Sequence, residues 1–299
     1  MAQGFVHLSD LHLTSLTGVS ARELLSKRFL GYLSWRRRRR LEHRRERLDA
    51  LVADFIDDAA AEIVITGDLT HIGLEREFRA AADWLAALAP PERVALVPGN
   101  HDATVPASLD YQARYWGKYL AGDDGPGYPT LRVRGDIAFI GLDSAVATAP
   151  GLASGRVDGA QLARLPALLT ACRERGLFRV IYLHHCPLAG VDSRRKHLVN
   201  HAAVAGTIAA GGAELVLHGH GHRDQRNELE TVDGVAPVIA APSASAAGRG
   251  DKPAAAYHRF GVTPAKKGWE LAITTRGFAA GSEAVTTLAE ESRTLRRDR

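Results

Sequence analysis

Apolar residues are spaced along this chain with two periods. Short runs rich in β-branched residues recur at 4–8 (GFVHL), 62–66 (EIVIT), 93–97 (RVALV), 137–142 (IAFIGL), 179–183 (RVIYL) and 214–218 (ELVLH). Runs of this length, bounded by Gly or charge, predict strands buried on both faces. Between them the spacing turns helical: Leu48, Leu51, Val52, Phe55, Ile56 and Ala59 within 41–60, and Phe78, Ala81, Ala82, Leu85 and Leu88 within 75–88. A third helix is expected over 160–172. Alternation of this kind predicts an α/β fold. The last third reads differently. APVIAAPSASAAGRG, AYHRFGVTP and GWELAITTRGF are strand-like with Gly/Pro turns and no helix between them, as if completing a second sheet packed on the first. The final EESRTLRRDR lacks an apolar face and is expected to fray, so one domain over 1–285 and a flexible tail over 286–299 are expected.

Composition changes this picture in one place. Of the 299 residues 45% are hydrophobic and 24% charged, which is ordinary for a globular chain. Charge is not evenly spread. Between Arg22 and Arg47 eleven Lys/Arg face only Glu23, Glu42 and Glu46, so that stretch carries +8 and the rest of the chain −4. A mildly acidic body with one basic patch argues against a general nucleic-acid surface. Two cysteines, Cys172 and Cys186, imply no disulfide framework or thiolate cluster and suit a reducing cytoplasm. MAQGFVHLSD does not read as a signal peptide, and no run approaches the ~20 apolar residues that span a bilayer.

The expected strand ends share a chemistry. SDLH supplies Asp10 and His12, GDL supplies Asp68, PGNHD supplies Asn100, His101 and Asp102, HHCP supplies His184 and His185, and HGHGH supplies His218, His220 and His222. Carboxyl ends of parallel strands open on one rim, where α/β proteins place ligands. Taken singly, D-x-H, GD or a histidine pair has a bland structural reading; their ordered recurrence at strand ends does not. Imidazole mixed with carboxylate and amide oxygen, without thiolate, suits two divalent ions, Mn²⁺ first and Fe or Zn next. Such a pair would serve in-line displacement at phosphorus, with Asp68 the natural bridge.

In order, D-x-H, GD, GNHD, H-H-x-P and GHxH resemble the signature of the calcineurin-like metallophosphoesterase superfamily, over roughly residues 5–275. The resemblance implies two mixed β-sheets packed as a sandwich flanked by helices, here with a basic amphipathic helical insertion at about 14–47. By motif it implies Asp10, His12 and His222 on a first metal, Asp68 bridging, and Asn100, His184 and His220 on a second, with a metal-bridging hydroxide attacking phosphorus. His101 would then meet the scissile phosphate and protonate the leaving oxygen, with Asp102 orienting it. His184 is preferred to His185 by its separation from His220; His7 and His218 read as structural and Cys186 as a buried thiol.

The insertion bears on the substrate. Leu24, Leu25, Phe29, Leu30, Tyr32, Leu33 and Trp35 lie beside Lys27, Arg28 and Arg36 to Arg40, a pattern that fits an element in an anionic membrane interface. KRFLGYLSW is also similar to one branch of UDP-diacylglucosamine hydrolases, over about a dozen residues. The expectation is a cytoplasmic, membrane-peripheral pyrophosphatase acting on a lipid-linked nucleotide such as UDP-diacylglucosamine, in lipid A synthesis. Arg36, Arg37, Arg194 and Arg195, with Lys196 beside them, are the candidate substrate contacts. The alternatives are a cytoplasmic phosphodiesterase for cyclic nucleotides or other small diesters, a docked helix whose arginines are merely solvated, and a binding module that only retains a metal centre. No nucleic-acid partner is expected.

Overall fold

The computed structural model describes residues 3–57, 62–249 and 252–296. In chain order the first half consists of β1 (Gln3–Leu8), α1 (Arg28–Ser34), a π-turn (Trp35–Arg39), α2 (Arg40–Glu42), α3 (Arg45–Phe55), β2 (Glu62–Ile65), α4 (Glu75–Leu88), β3 (Val94–Leu96), α5 (Ala107–Leu120), β4 (Thr130–Arg134) and β5 (Ile137–Gly141). The second half adds α6 (Gly159–Glu174), β6 (Phe178–Tyr182), α7 (His201–Gly211), β7 (Leu215–His218), β8 (Gln225–Thr231) and β9 (Gly234–Ala240). A small ribbon, β10 (Ala247–Arg249) and β11 (Lys252–Ala254), precedes the long strands β12 (Ala256–Ala265), β13 (Gly268–Phe278) and β14 (Val285–Arg296).

Two mixed six-stranded sheets result, ordered β14-β13-β12-β1-β2-β3 and β4-β5-β6-β7-β9-β8. β1, β2 and β3 run parallel, as do β5, β6, β7 and β9. The sheets face each other across a dry layer that includes Phe5, Val64, Phe139, Val180, Leu217 and Phe260. Phe5 stacks on Phe260 at 4.7 Å and meets Phe139 edge-on at 5.1 Å. Neighbours of opposite parity, Val6, Leu8, Ile63 and Ile65, face outward and are covered by α3, α4 and α5; α6 and α7 cover the second sheet. Burial on both faces explains why the central strands read as continuous apolar runs.

Several expectations give way here. The C-terminal strands divide: β9 belongs to the second sheet, whereas β12, β13 and β14 extend the first. The residues expected to fray form β14, paired with β13 from Val285 to Arg296; residues 297–299 lie outside those described. An edge strand open to solvent needs no apolar face. The helix expected over 41–60 is interrupted at His43, and its last residues, 58–60, lie outside those described. α5 and α7 were not signalled by the apolar spacing.

The insertion docks by specific contacts. Trp35, 8% exposed, joins Leu16, Ile72 and Leu74 in a small core of its own, with Tyr32 and Leu24 packed against it. The expected apolar face thus divides, with Trp35 interior, Tyr32 and Leu24 partly buried against it, and Leu25, Phe29 and Leu30 exposed. Gly31 lies so close to Ile72 that a Cβ there would fall 2.6 Å from its Cγ2. Arg28 donates to the carbonyls of Ile72 (3.2 Å) and Gly73 (2.5 Å), and Lys27 to that of Leu152 (2.9 Å). The Ile72 loop is held by Glu77 on α4, whose buried carboxylate accepts from the backbone N–H of His71 (2.7 Å), Ile72 (3.1 Å) and Leu74 (3.0 Å), and from the hydroxyl of Thr14 (2.9 Å). Glu77→Gln places an amide donor against these donors, so stability should fall by about 3 kcal/mol, read as a lower urea midpoint at unchanged m-value.

Candidate metal centre

Each central strand runs straight into a donor: β1 into Asp10 and His12, β2 into Asp68, β3 into Asn100, β6 into His184, and β7 into His220 and His222. The loops are tied across the rim. Asp10 N–H donates to the Gly67 carbonyl (2.9 Å), His12 N–H to that of Asp68 (2.9 Å), and Gly219 N–H to that of His184 (3.0 Å). Gly67 has φ +91°, and a Cβ there or at Gly99 would collide with the other loop's backbone or the Asp68 carboxylate. The backbone is also held in an unusual shape. Among the described residues the non-glycine positions with positive φ are Asp10, His12, Asp68, His220 and His222, all of them candidate ligands. Left-handed backbone at non-glycine residues costs on the order of 1 kcal/mol each and persists where the surroundings enforce it, typically at functional sites.

The side chains converge. Single ligand atoms of Asp10, His12, Asp68 and His222 lie within 4.8 Å of one another, as do those of His184, His185 and His220. Asp10 Oδ2 accepts from His220 N–H (3.0 Å), and its Oδ1 lies 3.0 Å from His222 Nε2. Asp68 Oδ1 accepts from His101 N–H (2.8 Å), leaving Oδ2 3.5 Å from His184 Nε2, which is also 3.2 Å from Asn100 Oδ1. Thr70 O takes the proton of His12 Nδ1 (2.9 Å) and Thr66 O that of His184 Nδ1 (2.6 Å). Each bond fixes the tautomer and turns Nε2 toward the centre. His185 is different: Ser144 Oγ engages Nδ1 at 2.9 Å and Ala153 O engages Nε2 at 3.2 Å, so both nitrogens are spent.

Electrostatics show what this donor set lacks. Asp10 and Asp68 are buried, which opposes their charge, yet His222 beside the first and His184 beside the second hold both below the usual carboxylate range. Burial also opposes charge on His184, but Asp68 overrides it and lifts His184 to about 10. Burial keeps His12 and His220 neutral, and their Nε2 atoms are buried with no hydrogen-bond partner among the described residues. Buried carboxylates beside unpartnered imidazole nitrogens are a cation site in their chemistry, so the residues present fit divalent ions.

Two expectations change at the edge of the site. Asp102 does not touch the His101 ring. Its carboxylate accepts from the backbone N–H of Asp68 (2.8 Å), Leu69 (3.3 Å), Thr70 (2.9 Å) and Gly99 (2.9 Å), knitting the second and third donor loops together. His101 is oriented instead by its Nδ1–H to the His71 carbonyl (2.5 Å), while Nε2 accepts from Arg39 (2.6 Å). Burial, and behind it the Arg39 guanidinium, hold the His101 imidazole down at about 3. A cavity of about 740 Å³ opens beside His222, walled by Arg37, Arg38, Arg39, Arg44, Lys196 and Lys252, with Glu42 as its acidic member. Arg37, one of the candidate substrate contacts, lines this cavity. Arg36, Arg194 and Arg195 are exposed and not in this wall; Lys196 is. Arg39, His43 and His71 went unsignalled, because no motif marks them and one arginine in a run of five looks like any other.

The calcineurin-like phosphoesterase family profile matches residues 4–224, and the chain belongs to that family. It is therefore a hydrolase of phosphoesters, of a family built around a dimetal centre. The structure is similar to a dimetal phosphatase from Danio rerio, at 15% identity and a TM-score of 0.60, covering 96% of this chain and 98% of that one. It is also similar to the purple acid phosphatase PPD1 of yellow lupin (Lupinus luteus), at 10% identity and a TM-score of 0.56, covering 96% of this chain and 53% of that one. No curated protein matches the sequence significantly. Asp102→Ala, which strands four backbone N–H groups, should cost on the order of 3 kcal/mol and lower the melting temperature even of chelator-treated protein.

Proposed function

We propose that this chain is a two-metal phosphoester hydrolase for a polyanionic, pyrophosphate-like substrate, acting at a membrane surface on a lipid-linked nucleotide. The observation that carries this reading is the cavity wall, which gathers Arg37, Arg38, Arg39, Arg44, Lys196 and Lys252 beside His222, the side chain that also converges with Asp10, His12 and Asp68. One phosphoryl group needs few cations; a pyrophosphate with a second anionic end uses more.

Asp10, His12, Asp68 and His222 would hold one cation, and Asp68, Asn100, His184 and His220 the other. Divalent cations there supply Lewis acidity, acidifying water and drawing charge from the phosphoryl oxygens. The chain's own residues do the rest. Arg39, now on His101 Nε2, is placed to swing onto the incoming phosphoryl oxygens, where its planar fork binds two of them. Released from Arg39 and facing an anion, His101 Nε2 takes up a proton. As the water oxygen bonds to phosphorus it releases one proton to solvent, and as the P–O bond to the leaving group breaks the His101 proton passes to the departing oxygen. The His71 carbonyl holds the ring through its Nδ1–H throughout. Asp102 acts one step back, fixing the loops that carry Asp68 and His101.

Leu25, Phe29 and Leu30 at the start of the insertion are 80%, 49% and 50% exposed, and Leu41, at 50%, stands in the cavity wall. Exposed apolar groups beside a cation cluster support contact with an anionic lipid surface. Among the described residues no helix is long and apolar enough to cross a membrane, so contact would be peripheral. A second reading, a small-diester phosphodiesterase, is favoured by the burial of Trp35 and the partial burial of Tyr32, which leave less apolar surface for lipid than the whole segment offers.

A hydrolysis panel with Mn²⁺, comparing a UDP-linked diacyl lipid, cyclic AMP and an aryl phosphodiester, separates the two. The lipid substrate should have the highest kcat/KM, and Leu25→Ser/Phe29→Ser/Leu30→Ser should lower sedimentation with phosphatidylserine vesicles. Preference for cyclic AMP, with no vesicle binding, would leave the small-diester reading standing. Arg39→Ala should lower kcat/KM about 30-fold, the equivalent of about 2 kcal/mol for one charge-assisted contact.

A further inference from the structure

The metal centre has a neighbour that the family motifs do not include. α2 ends at Glu42, and the next residue, His43, turns to extended backbone (φ −103°, ψ 123°). It is pinned there from two sides. Its N–H still closes the preceding turn on Arg39 O (3.0 Å), and the following residue donates its N–H to Ser245 O (2.7 Å). His43 and Ala246 form an isolated antiparallel bridge. The break in the helix expected over 41–60 thus delivers one imidazole to the rim.

The ring's protonation is set by a short relay. Ser243 Oγ–H donates to the carbonyl of Asp10 (2.7 Å), leaving its lone pairs for Ser245 Oγ–H at 3.5 Å. Ser245 Oγ then accepts from His43 Nδ1–H at 2.8 Å. In this arrangement His43 keeps a lone pair on Nε2, as His12 does once its Nδ1–H is given to Thr70 O. The His12 and His43 rings are 4.3 Å apart, and His43 and His222 are 5.7 Å apart. One ring nitrogen from each of the three lies within 4.8 Å of the others. Imidazole nitrogens gathered this closely, one of them a buried Nε2 without a hydrogen-bond partner among the described residues, are chemically suited to a shared cation.

We propose that His43, carried by the arginine-rich insertion, is an additional ligand of the metal position formed by Asp10, His12, Asp68 and His222. It shares His12 and His222 with that group, which is why it is assigned to the same cation. The insertion thereby does two jobs through one helical turn: Arg39 faces the substrate side of His101, and His43, four residues on, faces the metal. Docking of the insertion and filling of the first metal position become linked. The inference rests on the two-metal reading, and the experiment separates the two.

Chelator-stripped protein is titrated with Mn²⁺ by calorimetry, its metal content is measured after dialysis, and the Co²⁺-loaded form is read by visible absorption. Wild type should take up two equivalents. His43→Gln should bind one of them at least about 10-fold more weakly, with an altered Co²⁺ spectrum as the ligand set changes. Arg36→Ala, an exposed arginine of the same π-turn that lies outside the cavity wall, should bind both as wild type does. Equal affinity and an unchanged spectrum in His43→Gln would overturn the role of His43 while leaving the two-metal reading intact. A wild type that takes up no metal would overturn both. Should His43→Gln lose its native circular dichroism, Ser245→Ala decides: it keeps every ligand but frees the His43 ring, and unchanged affinity there would equally count against the proposal.

Discussion

Two ionised carboxylates, Asp10 and Asp68, lie buried within a few ångströms of each other, and the architecture around them is the consequence of keeping them so. Like charges at that separation away from water are strongly unfavourable unless positive charge stands between them. The protein supplies part of the answer by setting His184 against Asp68 and His222 against Asp10. The rest is met by backbone force. Asp10, His12, Asp68, His220 and His222 are all bent into left-handed conformations, and the loops that carry them are laced together by main-chain hydrogen bonds and the carboxylate of Asp102. Two sheets whose core is filled by Phe5, Phe139 and Phe260 give those loops a rigid base. Strain in the loops and apolar burial beneath them are the two sides of one arrangement.

The insertion divides its charges between structure and site. Lys27 and Arg28 cap carbonyls of the neighbouring loops and are anchors. Arg37 and Arg38 face the cavity, and Arg39 reaches His101. A single π-turn separates the anchored half from the functional half, and such turns shift the residues that follow around the helix axis. A regular helix through the same five arginines would present them differently. The apolar residues divide in the same way, Tyr32 and Trp35 into a small core and Leu25, Phe29 and Leu30 to the surface.

Much of this was legible before any coordinates. Strand ends are marked by apolar runs that stop abruptly at D-x-H, GD, GNHD, HH and GHGH, so the pattern marked where donors gather, and the resemblance to the family implied which seven of them would be ligands. What stayed hidden depended on geometry that no local pattern encodes. The preference for His184 over His185 rested on its separation from His220, whereas the contacts that occupy both nitrogens of His185, to Ser144 and Ala153, could not be read from sequence. The part played by Asp102 was misread because sequence adjacency to His101 suggested a partnership, whereas its carboxylate turns the other way, to the backbone of the Asp68 loop. His43 was invisible because the helical spacing around it carries no Gly or Pro to announce a break; the break is imposed by pairing with Ser245 and Ala246. β14 was missed because its sequence, VTTLAEESRTLR, is dominated by polar and charged residues and carries no apolar stripe, as suits an edge strand.

The central claim is that the buried carboxylates await divalent cations, and thermal unfolding reads this directly, without a substrate. Chelator-treated protein should melt at a lower temperature than the same protein with excess Mn²⁺, since binding to the native state alone at 100 times Kd is worth about 2.7 kcal/mol. Asp68→Asn should show a much smaller rise on adding Mn²⁺. A melting temperature that does not respond to Mn²⁺, Zn²⁺ or Fe²⁺ would contradict the claim.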